Sequence, residues 1–266
     1  MSIPRLTGHP LPTTMPDNRL TWAFDPNRAA LLIHDMQRYF LGFYADGFPR
    51  LVDNVARLRA LGLPTVYTAQ PPRQSAERRG LLTDRWGPGL QSDEEIVSAL
   101  APREGDEVLT KHRYSAFFGT DLRGWLASRG LDQLVICGVY AHIGVTATAL
   151  DAFSADVKPF VVADAVGDFS ADDHAAAMRH LAATCAVVTT VDGLSSGPTL
   201  AEVRRQVLAL LDEPADDDEN LIDAGLDSVR VMGLIETWRA AGHDVGFADL
   251  AADPTIIGFH SRLVSA

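Results

Sequence analysis

The chain has 266 residues, 47% of them apolar and 22% charged, a balance that allows a full buried core and one or two domains. No apolar run approaches the roughly 18 residues that suggest a membrane span, and the proline-bearing opening MSIPRLTGHPLPTTMP lacks the apolar stretch of an export signal, so a cytoplasmic protein is expected. Of the net charge of −12, most lies between Ser195 and Ala266, where 13 Asp or Glu stand against 5 Lys or Arg; this acidic end argues against nucleic-acid binding.

Between Arg28 and Asp192, apolar β-rich runs alternate with amphipathic stretches. AALLIHD (29–35), PTVYTAQ (64–70), DEVLT (106–110), QLVICGV (133–139), KPFVVAD (158–164) and CAVVTTV (185–191) read as six strands buried on both faces. The intervening Arg50–Leu61, Asp121–Arg129, Gly144–Ser154 and Asp172–Ala183 carry apolar residues at helical spacing. Strand-then-helix repetition of this kind predicts an α/β fold, a parallel six-stranded sheet covered by helices in three layers. Chemistry then collects at the carboxyl ends of the strands, which supply Asp35, Gln70, Lys111 and Tyr140. The cysteines, Cys137 and Cys185, lie inside strand-like runs and read as buried thiols.

The small-residue run GLSSGPT follows Asp192 and reads as a boundary: a first domain over 1–192, a linker over 193–199 and a second domain over 200–266. LAEVRRQVLALL, the segment after LDS, a short helix near Phe247–Leu250 and IIGFHSRLV predict a small four-helix bundle.

In DAGLDSVRVMGLIETW, Ser228 falls in the first turn of an amphipathic helix behind an acidic, Gly-containing loop. A helix start has unpaired N–H groups and a positive dipole end, so an exposed hydroxyl there can carry a phosphodiester. Asp227 or Ser228 could also be no more than an N-cap. With its acidic loop and the helix behind it, GLDS resembles the attachment motif of acyl, peptidyl and aryl carrier proteins. That resemblance implies a 4'-phosphopantetheine on Ser228, installed by a phosphopantetheinyl transferase, with partners docking on Val229, Met232 and the surface around Phe247 and Leu250.

Three features of the first domain carry chemistry. A carboxyl at the end of a buried strand, Asp35 in HDMQRYF, is pushed toward its protonated form by burial and could serve as a general acid, or be simply a helix cap. Lys111 in LTKHRYSAFFGTDL could pair with it or bind a substrate carboxylate. Gly144 in CGVYAHIGV would let a ligand approach backbone closely. His34, His112 and His142 lack metal-ligand spacing and read as structural, and no metal is expected.

Together HDMQRYF, TAQPP, ERRGLLTDRWGPG, TKHRYSAF and GVYAHIG resemble the isochorismatase-like hydrolase family over residues 20–192. Most members are cysteine hydrolases with the nucleophile in the turn where this chain has Gly144, so the resemblance is to the members that lack it. With the C-terminal motif, the whole resembles the bifunctional isochorismatase/aryl carrier family of catechol siderophore assembly. The implied reaction is hydrolysis of the enol ether of isochorismate to 2,3-dihydro-2,3-dihydroxybenzoate and pyruvate. Asp35 is then the acid and Lys111 its partner, although Lys111 and burial pull the Asp35 pKa in opposite directions. Gln70, Arg79, Tyr140 and Gly144 would bind the substrate between walls of Phe40, Trp86 and Tyr114. The family also implies a strained peptide near Val139–Tyr140 that could be cis, a homodimer, and partners that adenylate 2,3-dihydroxybenzoate and condense it on a peptide synthetase. A 2-amino-2-deoxyisochorismate hydrolase and a carrier scaffold with an inactive first domain are the competing readings.

Overall fold

In AALLIH and QLVICGV apolar residues follow one another without a polar break, which suits strands covered on both faces. In the computed structural model, which describes residues 3–12, 15–195, 198, 200–241 and 243–264, every residue of both segments is buried. The strands are β1 (Ala29–His34), β2 (Thr65–Ala69), β3 (Glu107–Thr110), β4 (Gln133–Val139), β5 (Lys158–Gly167) and β6 (Val187–Thr189). They form one sheet in the order β3-β2-β1-β4-β5-β6, all neighbours parallel. The order reverses between β1 and β4, so the crevice beyond their carboxyl ends is the natural ligand site of such a sheet.

Helices α1 (Pro49–Arg59), α2 (Leu122–Ala127), α3 (Thr146–Ser154) and α4 (Ala171–Thr184) cover the sheet. Leu122, Ala149 and Leu181 of α2 to α4 join Ala30, Leu32, Leu134 and Ile136 in one apolar cluster. Leu51, Val55 and Leu58 of α1 are buried outside that cluster, and α1 packs on β1, β4 and β5. At about 25 cal/mol per Å² of apolar area, burial of such stripes is what holds the layers together.

Two expectations need correction. DEVLT was expected to be buried on both faces, but β3 is an edge strand whose residues alternate in exposure, with Val108 44% exposed. CAVVTTV yields only the three residues of β6, because Cys185 still caps α4 and Val191 opens a short helix, Val191–Ser195.

The chain divides into two compact units, Met1–Trp22 with Arg28–Val191, and Ala23–Asn27 with Asp192–Ala266. Of the linker expected over 193–199, residues 193–195 end the Val191–Ser195 helix, and 196, 197 and 199 lie outside the described residues. The second unit holds α5 (Leu200–Leu208), α6 (Ser228–Ala240), α7 (Phe247–Ala251) and α8 (Ile256–Val264). Its core is built from Val203, Val207, Leu234, Trp238, Leu250 and Phe259, among others. Trp238 satisfies its buried indole N–H on Gln206 Oε1 at 2.6 Å and meets Phe259 edge to face.

Candidate active site and carrier site

Asp35 follows β1 directly, with a left-handed backbone (φ 51°) that is uncommon for a residue with a Cβ. Its Oδ2 lies 2.8 Å from Lys111 Nζ, and its Oδ1 accepts from the Thr68 hydroxyl at 2.7 Å. Gln70 Nε2 reaches Oδ2 at 3.3 Å. Gln70 is itself fixed by Gln37, which accepts its N–H at 2.8 Å and donates to its carbonyl at 2.9 Å. Lys111 is 1% exposed and also donates to the carbonyls of Arg113 (2.9 Å) and Tyr114 (3.1 Å).

Burial is the largest influence on Asp35 and pushes its carboxyl up, but the Lys111 ammonium, His34 and the hydrogen bonds from Lys111 and Thr68 together hold it below the usual carboxylate range. The opposition left open by the sequence is decided by Lys111, and the expectation of a carboxyl that keeps its proton through burial is corrected for the free site. At neutral pH Asp35 is a carboxylate there.

Beyond β4 the Val139–Tyr140 peptide is cis and the chain makes one π-helical turn, Ala141–Val145, before α3. Such turns are frequent at functional sites. Asp168, fully buried just past β5, clamps this turn. It accepts the His142 N–H at 2.9 Å, the His142 ring at Nδ1 at 2.5 Å and the Phe169 N–H at 2.8 Å, while its carbonyl accepts the Tyr44 hydroxyl at 2.8 Å. Burial works against the charged ring of His142, but the bond and charge of Asp168 prevail and raise its pKa.

Asp35, Lys111, Gln70, Arg79, Tyr140, Gly144, Phe40, Trp86 and Tyr114 all line one pocket, with about 550 Å³ of space continuous with solvent. The Tyr140 hydroxyl donates to Phe40 O at 2.8 Å, and Trp86 Nε1 donates to the Tyr114 hydroxyl at 2.7 Å. Arg79 is 4% exposed, donates Nε to Gly87 O at 2.7 Å and takes the space that a side chain at Gly89 would need; its buried Nη1 has no partner. An orphaned guanidinium donor in a pocket suits an anionic ligand. Burial lowers the Arg79 pKa.

Sequence reasoning missed Thr68, Gln37, Asp168 and the wall residue Phe169. Thr68 sits beside His34 in the β1–β2 register and Phe169 follows β5, so strand-end reasoning could have found both. His112 Nδ1 lies 2.8 Å from Gln74 Oε1, with its pKa lowered by burial and by Arg78 and Arg113. His34 is buried beside Asp35, and its pKa falls to about 4, chiefly through burial. Cys137 is fully buried within β4, 3.5 Å from Leu32 O, and burial pushes its thiol up. Neither cysteine lines the pocket. Among the described residues no group of three or more potential metal ligands occurs, and no helix is long and apolar enough to cross a membrane.

In the second unit Asp227, not Ser228, caps α6, accepting from Val229 N at 2.9 Å and Arg230 N at 2.8 Å. Ser228 is exposed at the start of a 13-residue helix, and a recess walled by Leu226, Val231, Phe247 and Phe259 opens beside it. This arrangement fits a phosphodiester: an outward hydroxyl released from capping, at the positive end of a helix. Val229 (78% exposed), Met232 (45%) and Phe247 (47%) face outward, but Leu250 is 1% exposed. The expectation that Leu250 meets partners is corrected, because its side chain closes the core of the bundle.

The family model "Isochorismatase domain" matches residues 29–193, and "Phosphopantetheine attachment site" matches 198–259. Enterobactin synthase component B of Escherichia coli (strain K12) is 46% identical, over 96% of this chain and 96% of its own length. The isochorismatase of Bacillus subtilis (strain 168) is 44% identical over 96% and 93%. Phenazine biosynthesis protein PhzD of Pseudomonas fluorescens is 50% identical but covers 71% of this chain and 97% of itself. Among solved structures, an isochorismatase family protein from Desulfovibrio vulgaris superposes with a TM-score of 0.55 at 28% identity, covering 63% of this chain and 96% of that one. N-carbamoylsarcosine amidase from Thermoplasma acidophilum gives 0.54 at 28%, covering 62% and 97%.

Proposed function

The chain belongs to the isochorismatase family and carries a phosphopantetheine attachment domain behind it, and from that premise we propose that it has two functions. The first unit hydrolyses the enol ether of isochorismate to 2,3-dihydro-2,3-dihydroxybenzoate and pyruvate. The second is an aryl carrier for 2,3-dihydroxybenzoate in nonribosomal siderophore assembly. The observation that carries the first part is the buried Asp35–Lys111 pair, in a pocket that Gly144 also lines and whose lining contains no thiol.

An enol ether hydrolyses by protonation of its methylene carbon, after which water adds to the oxocarbenium carbon and the hemiketal falls apart to pyruvate and the diol. No step needs a covalent nucleophile. Asp35 would give the proton, its carboxyl held by Lys111, Thr68 and Gln70. The free site holds Asp35 ionised, so the proton must be taken up before the chemical step; a dianionic substrate beside it raises the pKa in the complex. Arg79, with its unpartnered Nη1, and Gln70 are the donors available to the two substrate carboxylates. Phe40, Trp86, Tyr114 and Tyr140 keep bulk water from the cation.

Ser228 would hold the phosphopantetheine arm, which supplies a flexible thiol for the aryl group. Val229, Met232 and Phe247 offer the exposed apolar contacts that a transferase, an adenylating enzyme and a condensation domain could dock on in turn. A cytoplasmic location and a homodimer joined through helices near the pocket belong to the same reading. The first unit alone is also similar to PhzD, which keeps 2-amino-2-deoxyisochorismate as a second substrate candidate. The carrier unit favours isochorismate, since an aryl acid must be available to load.

Hydrolysis in ¹⁸O-water tests the bond broken. Attack at the vinyl carbon leaves the diol unlabelled, whereas label in the diol would mean attack on the ring and would overturn the scheme. Treatment with coenzyme A and a phosphopantetheinyl transferase should add one phosphopantetheine by mass to wild type and none to Ser228→Ala.

A further inference from the structure

The proposed hydrolysis leaves one buried group in the pocket wall unused. His34, the last residue of β1, is 1% exposed and presents both ring nitrogens to carbonyls, Nδ1 to Val139 O at 2.8 Å and Nε2 to Tyr114 O at 3.3 Å. With a pKa near 4 it is neutral at physiological pH and has one ring N–H to give; the shorter distance assigns that proton to Nδ1. Its Nδ1 lies 3.8 Å from Asp35 Oδ2, beyond hydrogen-bond reach.

The ring also fills space. A Cβ built on Gly144 would overlap His34 Cε1, and it would stand 2.9 Å from His34 Nε2 and 3.2 Å from Tyr114 O. The imidazole cannot swing aside, because one nitrogen is bonded to the carbonyl of Val139 and the other faces the loop that holds Lys111. The backbone behind it is equally closed, since a Cβ on Gly138 would run into His34 O.

We infer that His34 is a specificity-determining residue: its imidazole occupies the place any side chain at position 144 would need, and so keeps the pocket free of a covalent nucleophile. The inference rests on the proposed non-covalent hydrolysis, and it adds that the absence of a thiol at 144 is enforced by a second residue. Restoring a cysteine there is therefore a two-residue change. His34 acts through shape and through the Val139 carbonyl, as a positioning residue for the turn after β4.

The test is a double-mutant cycle of Gly144→Ala, His34→Val and the pair, read by thermal melting, with Gly144→Cys and His34→Val/Gly144→Cys read by alkylation and intact mass. Gly144→Ala should lower the melting temperature more in wild type than in the His34→Val background, because the valine leaves room for the new methyl. The paired cysteine variant should take up one iodoacetamide about tenfold faster than Gly144→Cys, against the buried and inert Cys137 and Cys185. Additive melting shifts, or equal alkylation of the two cysteine variants, overturn the inference even if Gly144→Cys folds poorly, since the alanine cycle stands by itself. Loss of pyruvate release on alkylating the wild type would instead overturn the non-covalent reading and leave the steric result untouched.

Discussion

At the scale of single residues, the decisive balance is between burial and Lys111 at Asp35. The carboxyl lies below its usual range in the free site, so its acid form is the minor one at neutral pH and grows as pH falls. A reaction that needs this acid should show kcat/KM rising as pH is lowered from 8 toward 5, because kcat/KM reports the free enzyme. A flat profile over that window would mean the carboxyl is already protonated. Lys111→Met removes the main force opposing burial, so the fall in kcat/KM should move to higher pH, a change read directly from the pH profile. The position of Asp35 was legible because a carboxyl ending an apolar run stands at the mouth of a parallel sheet. Its charge state was not, because it depends on a 2.8 Å contact from a residue 76 positions away in the chain.

At the scale of elements, the turn after β4 and the start of α6 are each held by an aspartate. Asp168 joins the end of β5 to the π-helical turn and to Tyr44. Asp168→Asn places an N–H against at least one donor, so the turn carrying Tyr140 and Gly144 should loosen. KM for isochorismate should rise about tenfold with kcat little changed, the pattern of lost uniform binding. A fall in kcat at constant KM would show only a smaller active fraction. Asp227→Ala removes two capping bonds and should cost about 1 kcal/mol in the stability of the second unit, while Asp227→Asn should largely retain it; denaturant melts of the two variants check this. Strand and helix positions followed from periodicity, since buried parallel strands are apolar runs. The edge position of β3 did not, because strand order is set by packing. The cis peptide was expected only through family resemblance, while the clamp by Asp168 lay hidden because ADAVGDFS reads as any strand end.

At the scale of the whole molecule, the two units should respond differently to acid. Burial lowers the pKa of both His34 and His174 in the first unit from 6.5 to about 4. The unfolded chain therefore binds more protons than the folded one between these values, and stability falls as pH drops through that window. Each histidine contributes at most about 3.5 kcal/mol, since a tenfold change in proton affinity is worth about 1.4 kcal/mol. Asp35 acts in the same direction at lower pH, while His142, raised by Asp168, partly opposes it. Thermal melts from pH 7 to pH 4.5 should show the first unit losing stability faster than the carrier unit; equal losses would contradict this. That two units exist was legible from the acidic excess of the chain from Ser195 onward and the small-residue run GLSSGPT at its start. The end of the first unit was less so, because Val191–Ser195 is helical where the linker was expected to begin.

The most direct test is pyruvate release from isochorismate by wild type and by Asp35→Ala under identical conditions. Release by wild type, lost by several orders of magnitude in Asp35→Ala while Ser228 still accepts its phosphopantetheine, is the predicted result. Comparable release by both proteins would contradict the assignment of Asp35 as the acid, and release by neither would contradict the assignment of the substrate.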